Sequence, residues 1–317
     1  MIQPIECSFR GFRRMGKEDI RIIPASKKSD LEKSIERKMG ILPTETDVKK
    51  FANGETYVNI KGDMRNKDVY IMPVTGRDVN DNLMETYLKA DAARRMGANK
   101  VVAIMPNFPY GRQERKTQPG EPISARLNLA LLHASGVDEV ITTDIHAAAL
   151  QGFARQMKLT DLNSLDEMTA YFKGKIDSEN SVIVSPDLGG VKRADRLAKA
   201  LNCDKAIIYK NRKAHNVAKA EQLLGDVEGK DCIIYDDIID TAGTITEAAK
   251  MLKKEGANRI FVAASHGLFN GEAVKRLSEA PIEEVVVTNS EALPELEKVR
   301  QVDIAPKIIG TILDISA

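Results

Sequence analysis

The 317-residue sequence predicts an α/β protein made of two similar halves. Three observations carry that expectation. First, short runs rich in Val and Ile recur along the chain. They are IRIIP (20–24), DVYIMPV (68–74), KVVAIMP (100–106), EVITTDIH (139–146), SVIVSPD (181–187), AIIYK (206–210), DCIIYDD (231–237), RIFVAASH (259–266) and EEVVVTN (283–289). Near-continuous apolarity of this kind suits strands covered on both faces, as in a parallel sheet. Second, amphipathic stretches such as NDNLMETYLKADAARRMG and TITEAAKMLKKEG lie between the runs, and each closes on a glycine where a helix would end. Alternating strand and helix gives the α/β class. Third, KDVYIMP followed by RRMGANKVVAIMP is echoed by KDCIIYD followed by KKEGANRIFVAAS, so Gly97-Ala98-Asn99 recurs as Gly256-Ala257-Asn258 half a chain later. A repeat of that length suggests two duplicated domains.

Bulk properties narrow the function classes. The chain is 43% hydrophobic and 29% charged, an ordinary globular balance. No apolar run approaches the roughly 18 residues of a membrane-spanning helix. With 47 Lys and Arg against 46 Asp and Glu the net charge is +1, which gives no global reason to expect nucleic acid. Any anion site must be local. Cys7, Cys203 and Cys232 are far apart and form no C-x-x-C pair, which favours a reducing compartment over disulfides or a zinc cluster. The first residues carry Arg10, Arg13 and Arg14 but also Glu6, Glu18 and Asp19, and read as a short extension on a cytoplasmic protein rather than a transit peptide.

The richest chemistry lies in DCIIYDDIIDTAGTITEAAKML, residues 231–252. An apolar strand is expected to end near Asp237 and a helix to begin near Thr244 to Thr246. Ligands in such sheets bind beyond the carboxyl ends of the strands. Backbone N–H groups, the hydroxyls of Thr241 and Thr244 and a helix N-terminus would converge there on one anion, while Ala242 and Gly243 keep bulk away. The helix dipole supplies only about 0.3 to 1 kcal/mol, so several hydrogen bonds must provide the rest. Asp236 and Asp237 cannot touch that anion, but they suit sugar hydroxyls or a nearby metal. A plain N-capped helix would leave the two carboxylates unexplained.

Other segments carry weaker local signals. Asp144 and His146, two apart at a strand end, are expected on one side, within reach of a ligand. Asp187 in SPDLGG ends another apolar strand before two glycines. Taken alone, FANGE (51–55) would be a turn around Asn53-Gly54. Arg112, Arg115 and Lys116 around Glu114 would be a solvated face, and YKNRKAHNVAKAE (209–221) a basic loop. No G-x-x-x-x-G-K-[ST] occurs, which argues against an ordinary P-loop kinase.

Taken together, VSPDLGGVKRADRLAK (184–199), YDDIIDTAGTITEAA (235–249), MPNFPYGRQERK (105–116), TDIHAAALQGF (143–153) and FANGETYVNI (51–60) resemble the ribose-phosphate pyrophosphokinase family, in order from about residue 20 to the C-terminus. The resemblance implies two type I phosphoribosyltransferase-like domains, residues 19–156 and 157–301, with 302–317 packing back on the first. It implies attack of the anomeric hydroxyl of ribose 5-phosphate on the β-phosphorus of MgATP, with AMP leaving. Asp240, Thr241, Ala242, Gly243 and Thr244 would hold the 5-phosphate, and Asp236 and Asp237 would face the ribose hydroxyls and magnesium. ATP would meet Phe51, Asn53, Gly54, Glu55, Arg112, Gln113 and His146. On an extended segment, Phe51, Asn53 and Glu55 would face one way. His146 and Asp187 are the magnesium candidates. Lys210 and Arg212 sit at the family's Lys-x-Arg on a mobile catalytic loop, as candidates for transition-state stabilisation, Arg212 also at ribose 5-phosphate. A homo-oligomer, usually a hexamer built from dimers, with ATP across a subunit interface, is likewise implied.

The resemblance thins at regulatory positions. Gly120 stands where many members place an Arg, Asp63 where a serine is common, and the chain ends at ILDISA. An acidic residue repels phosphate, so weak or altered ADP inhibition is expected. Two rivals share the fold. One is a phosphoribosyltransferase that consumes the product, which would not need FANGE, RQERK or the Lys210 loop. The other is a non-catalytic regulatory subunit, which would have lost Lys210, Arg212, His146 or Asp187.

Overall fold

The computed structural model describes residues 16–72, Gly76, 78–211 and 220–317, apart from the side chains of 210, 211, 220 and 221. In the first half, β1 (Ile20–Ile23), α1 (Asp30–Met39), β2 (Thr46–Lys50), β3 (Thr56–Ile60), β4 (Asp68–Ile71), α2 (Val79–Arg95), β5 (Lys100–Ile104), α3 (Ser124–Ala134), β6 (Glu139–Thr143), α4 (Ala149–Phe153) and β7 (Lys158–Leu162) follow one another. The second half comprises α5 (Leu165–Phe172), β8 (Ser181–Ser185), α6 (Val191–Leu201), β9 (Asp204–Asn211), β10 (Ala220–Leu224), β11 (Asp231–Ile239), α7 (Gly243–Lys254), β12 (Ile260–Gly267), α8 (Ala273–Glu279), β13 (Glu284–Thr288), β14 (Val299–Val302) and α9 (Ala305–Ile315). Each expected apolar run contains one of these strands.

The first sheet has the order β1-β4-β5-β6-β7, and all its pairings are parallel. The second, β10-β9-β8-β11-β12-β13-β14, repeats that order in β8-β11-β12-β13-β14 and adds β9 and an antiparallel β10. The repeat extends to hydrogen bonds. Asn99 N–H donates to Lys67 O at 2.8 Å and its amide to Asp68 Oδ1 at 2.8 Å. Asn258 makes the same two bonds, to Lys230 O at 2.8 Å and Asp231 Oδ1 at 2.9 Å. Gly97 and Gly256 both adopt positive φ, 89° and 87°, where the helix must reverse into the next strand. Two halves built with the same turn chemistry support a duplication.

The expected boundary between residues 156 and 157 falls too early. β7 (Lys158–Leu162) pairs with β6, so the first sheet continues to Leu162. After β14 the chain crosses back, and α9 packs against α1, burying Ile308 and Ile312 with Ile20, Ile22, Leu31 and Ile35. Each such side chain, once buried, contributes about 1.5–3 kcal/mol. The Tyr70 hydroxyl donates to Ile312 O at 3.0 Å, fixing that helix over β4.

Candidate active site

Parallel order places the carboxyl ends of the strands along one edge of each sheet, and the two edges face each other across a cleft of about 1200 Å³. Arg112, Gln113 and His146 line it from the first half, and Ile238, Phe269 and Asn270 from the second.

The acidic stretch lies at the end of β11. The strand runs to Ile239, two residues beyond the expected end, and α7 starts at Gly243, so Asp240, Thr241 and Ala242 make a tight three-residue turn. Ala242 accomplishes this at φ 58°, in the left-handed region that is unusual for a residue with a side chain. Its carbonyl accepts from Thr246 Oγ1 at 2.9 Å, which secures the turn from within the helix. The first N–H groups of α7 have no intrahelical acceptor, and Thr241 and Thr244 are exposed beside them. This is a cradle for an anion.

Asp236 and Asp237 stand beside it, nearly buried. Arg193, on the first turn of α6, lies 3.2 Å from Asp236 Oδ1 and 3.4 Å from Asp237 Oδ1. It can reach them because β8, which precedes α6, pairs directly with β11. That glycine-rich entry is tight: a Cβ on Gly190 would stand 2.8 Å from Ser185 Oγ. Burial, and next the neighbouring Asp237, raise the Asp236 carboxyl well above the ordinary range. At Asp237 burial pushes the same way, but the bond to His146 and the Arg193 charge outweigh it and hold that carboxyl low. Two adjacent carboxylates of opposite tendency result: one ready to carry a proton, one firmly ionised.

The two halves meet at these groups. His146 Nδ1 lies 2.6 Å from Asp237 Oδ2, and that bond raises the imidazole's pKa against the opposing effect of burial. Arg112 Nη1 donates to Asp240 Oδ2 at 2.6 Å, while Asn270 donates to Asp240 Oδ1 at 2.9 Å. Each ion pair links a residue expected at ATP to one expected at ribose 5-phosphate. Below them His266 is fully buried, its ring nitrogens facing Ser290 Oγ at 2.9 Å and Thr143 O at 2.8 Å. Burial lowers its pKa, consistent with a neutral structural residue.

Several expectations change. Residues 51–55 form a turn, not an extended segment: Phe51 N–H donates to Glu55 O at 2.8 Å and Gly54 N–H to Phe51 O at 2.9 Å. The antiparallel pair β2–β3 carries this turn outward, Phe51 is 51% exposed, and Phe51, Asn53, Gly54 and Glu55 do not line the cleft that Arg112, Gln113 and His146 share. Asp144 does not share a strand face with His146, because β6 ends at Thr143 and Asp144 turns at φ 46°. The side chain of Lys210, and Arg212 altogether, lie outside the described residues. The backbone of Lys210 belongs to β9, where it pairs with Glu221 of β10. Reasoning from local motifs missed Arg193 and Asn270. A basic residue in a helix and a polar one in a loop carry no signal until the strand order is known.

Asp187 is exposed at the start of the loop into α6, with Oδ1 held by Gly190 N–H at 2.9 Å. Among the described residues no group of three His, Cys, Asp or Glu side chains could by itself hold a metal. A fixed carboxylate just beyond the strand that pairs with the one carrying the vicinal acidic pair nevertheless suits Mg²⁺, which keeps several waters and takes one or two protein carboxylates plus phosphate oxygens.

The arrangement has close parallels. Residues 20–136 match the model of the N-terminal domain of ribose phosphate pyrophosphokinase, and residues 217–316 that of the phosphoribosyl synthetase-associated domain. The chain is 41% identical over 290 residues to a ribose-phosphate pyrophosphokinase of Listeria ivanovii, covering 90% of this chain and 91% of the relative. It is 39% identical over 293 residues to that of Aquifex aeolicus, with 91% and 93% covered. The crystal structure of phosphoribosylpyrophosphate synthetase from Mycobacterium smegmatis superposes with a TM-score of 0.88 at 32% identity, over 94% of this chain and 98% of that one. No described helix is long and apolar enough to cross a membrane. With both halves matched and the relatives covered nearly end to end, the chain belongs to the ribose-phosphate pyrophosphokinase family.

Proposed function

We propose that this chain transfers the diphosphoryl group of MgATP to the C1 hydroxyl of ribose 5-phosphate, giving 5-phosphoribosyl 1-diphosphate and AMP for nucleotide biosynthesis in the cytoplasm. One observation carries the reading. His146 and Arg112, from the ATP side, are each 2.6 Å from a carboxylate of the ribose phosphate side, so both substrates would meet at one place.

The 5-phosphate sits on the turn from Asp240 to Thr244, with N–H and hydroxyl groups as donors. Asp236 and Asp237 accept from the ribose hydroxyls and fix the anomeric carbon relative to the cleft. The C1 hydroxyl releases its proton, ultimately to solvent, and the O1–Pβ bond forms as the bond between Pβ and the oxygen bridging it to the α-phosphate breaks, so that AMP leaves with that oxygen. Arg112 and Gln113 bind the nucleotide, the guanidinium through paired hydrogen bonds to phosphate. Asp187 and His146 would hold Mg²⁺, which would supply neutralisation of phosphate charge. Lys210 and Arg212, in the roles that the family resemblance implies, stabilise charge on the diphosphoryl group in flight, where positioned cations act most strongly.

Phe51, Asn53 and Glu55 stand on an outward hairpin, away from their own chain's cleft. A homo-oligomer, a hexamer by family resemblance, would let that turn complete a neighbour's nucleotide site. The test is direct: purified protein with ATP, ribose 5-phosphate and Mg²⁺ is followed for AMP release. AMP formed in strict dependence on ribose 5-phosphate is expected. Its absence, with the diphosphate product consumed when a base is added, would transfer the chain to the phosphoribosyltransferases.

A further inference from the structure

The reaction needs groups from both halves within hydrogen-bond distance, and a group of buried hydrogen bonds holds one sheet edge against the other. At the seam, Asp144 follows the last residue of β6. Its φ of 46° turns the chain sharply, so the next side chains leave the strand's alternation. Its carboxylate Oδ2 accepts three hydrogen bonds: from Ser164 N–H at 2.9 Å, from Ser164 Oγ at 2.5 Å and from Ser265 Oγ at 2.6 Å. Ser164 lies in the connection between the halves, and Ser265 is on β12, next to β11 in the second sheet. Both serines are fully buried, and their hydroxyls lie 3.0 Å apart. Two residues beyond Asp144, the imidazole of His146 reaches Asp237 on β11.

We propose that Asp144 is a positioning residue for His146. The left-handed turn aims the imidazole, the two bonds from Ser164 tie that turn to the connection between the halves and the bond from Ser265 ties it to the second half, so that His146 is delivered in register with Asp237. Charge-assisted bonds to a carboxylate are the strong ones, and three on one oxygen define its place closely. An aspartate suits the position twice over, since Asp and Asn tolerate the left-handed conformation better than other residues with side chains. The inference rests on reading His146 as a group that contacts MgATP.

Turnover is measured for Asp144→Ala, Asp144→Gly and Asp144→Asn, and for Asp144→Ala combined with His146→Ala. A misplacement of about 1 Å can cost roughly a hundredfold in rate. Asp144→Ala and Asp144→Gly should therefore lower kcat by about 10 to 100-fold, with KM for ribose 5-phosphate within about threefold. Asp144→Asn, which keeps both the turn and an acceptor oxygen, should restore most of the rate. In the His146→Ala background, Asp144→Ala should cost less than about threefold, because a residue acting through another loses its effect when that partner is gone. An equal loss in both backgrounds would overturn the inference and leave Asp144 a general structural residue. So would full recovery of Asp144→Asn only at raised Mg²⁺, which would make it a metal ligand. If His146→Ala alone keeps full turnover, the reading of His146 fails and this inference with it; slow turnover with additive losses defeats the inference alone. Should Asp144→Ala fail to fold, Ser265→Ala removes one donor at almost constant volume, and the same pattern at smaller amplitude is expected.

Discussion

Replacing Arg193 tests whether one guanidinium makes the vicinal carboxylates tolerable in the fold. Its side chain is 15% exposed, and the carboxylates at 3.2 and 3.4 Å are 19% and 7% exposed. At an effective dielectric near 20, a unit pair at that separation gains about 5 kcal/mol. Desolvation costs several kcal/mol per ion, so the cluster as a whole gains little, but removing Arg193 leaves buried Asp236 without its ion pair and Asp237 with His146 alone, at a cost of about 3–5 kcal/mol. Arg193→Ala should therefore lower the unfolding free energy by about that amount, or the melting midpoint by roughly 10 °C. The loss should depend on pH. Asp236 already binds its proton more tightly when folded than when unfolded, and without Arg193 it binds more tightly still. The native variant then holds a proton that the unfolded chain has released, so its stability falls as pH rises through that window. Urea unfolding at pH 6 and pH 8.5 should show the deficit relative to wild type widening at the higher pH. Arg193→Lys keeps one charge but loses the fork that spans two carboxylates, and should fall between. A deficit below about 1 kcal/mol, equal at both pH values, would refute the reasoning.

Three further outcomes follow from named contacts. Glu32 is fully buried, and burial pushes its carboxyl up to about 7. The folded state therefore keeps a proton that the unfolded state gives up, and stability falls by up to about 3 kcal/mol as pH rises from near 4.5 through 7; Glu32→Gln should flatten that slope, and identical slopes in urea titrations would disprove it. Arg112→Ala should change the melting midpoint by less than about 3 °C, because its pair with Asp240 is half exposed. It should raise KM for ATP by about tenfold or more, and an unchanged KM would remove Arg112 from the nucleotide site. Lys210→Ala should lower turnover by about a hundredfold with modest effect on ATP affinity, which steady-state kinetics can check.

Where one strand is covered on both faces, composition alone announces it, and for that reason the runs at 68–74, 100–106, 231–237 and 259–266 were legible as sheet centres. The strands that the sequence conceals are peripheral: β2 reads TDVKK, β7 KLTDL and β14 VRQV, each half in water and none continuously apolar. An edge strand has less to bury and reason to carry charge, so the boundary drawn at 156 and 157 cut off β7. The site divides the same way. Asp240 to Thr244 form a contiguous loop whose chemistry shows in the letters, since turn, small residues and helix start are local. For Phe51 to Glu55 the local letters give the turn that is found, and it is the extended segment expected alongside the resemblance that is corrected. What makes the separate pieces one site is carried by residues to which the motifs assign no role. Arg193 is buried only because β8 lies beside β11, and Ser265 meets Asp144 only because the two sheet edges face each other. A sequence can thus specify an anion cradle while leaving unread the contacts that hold the two halves in register. Substitutions at Arg193, Ser164 and Ser265 should consequently impair the joint reaction more than binding of either substrate alone.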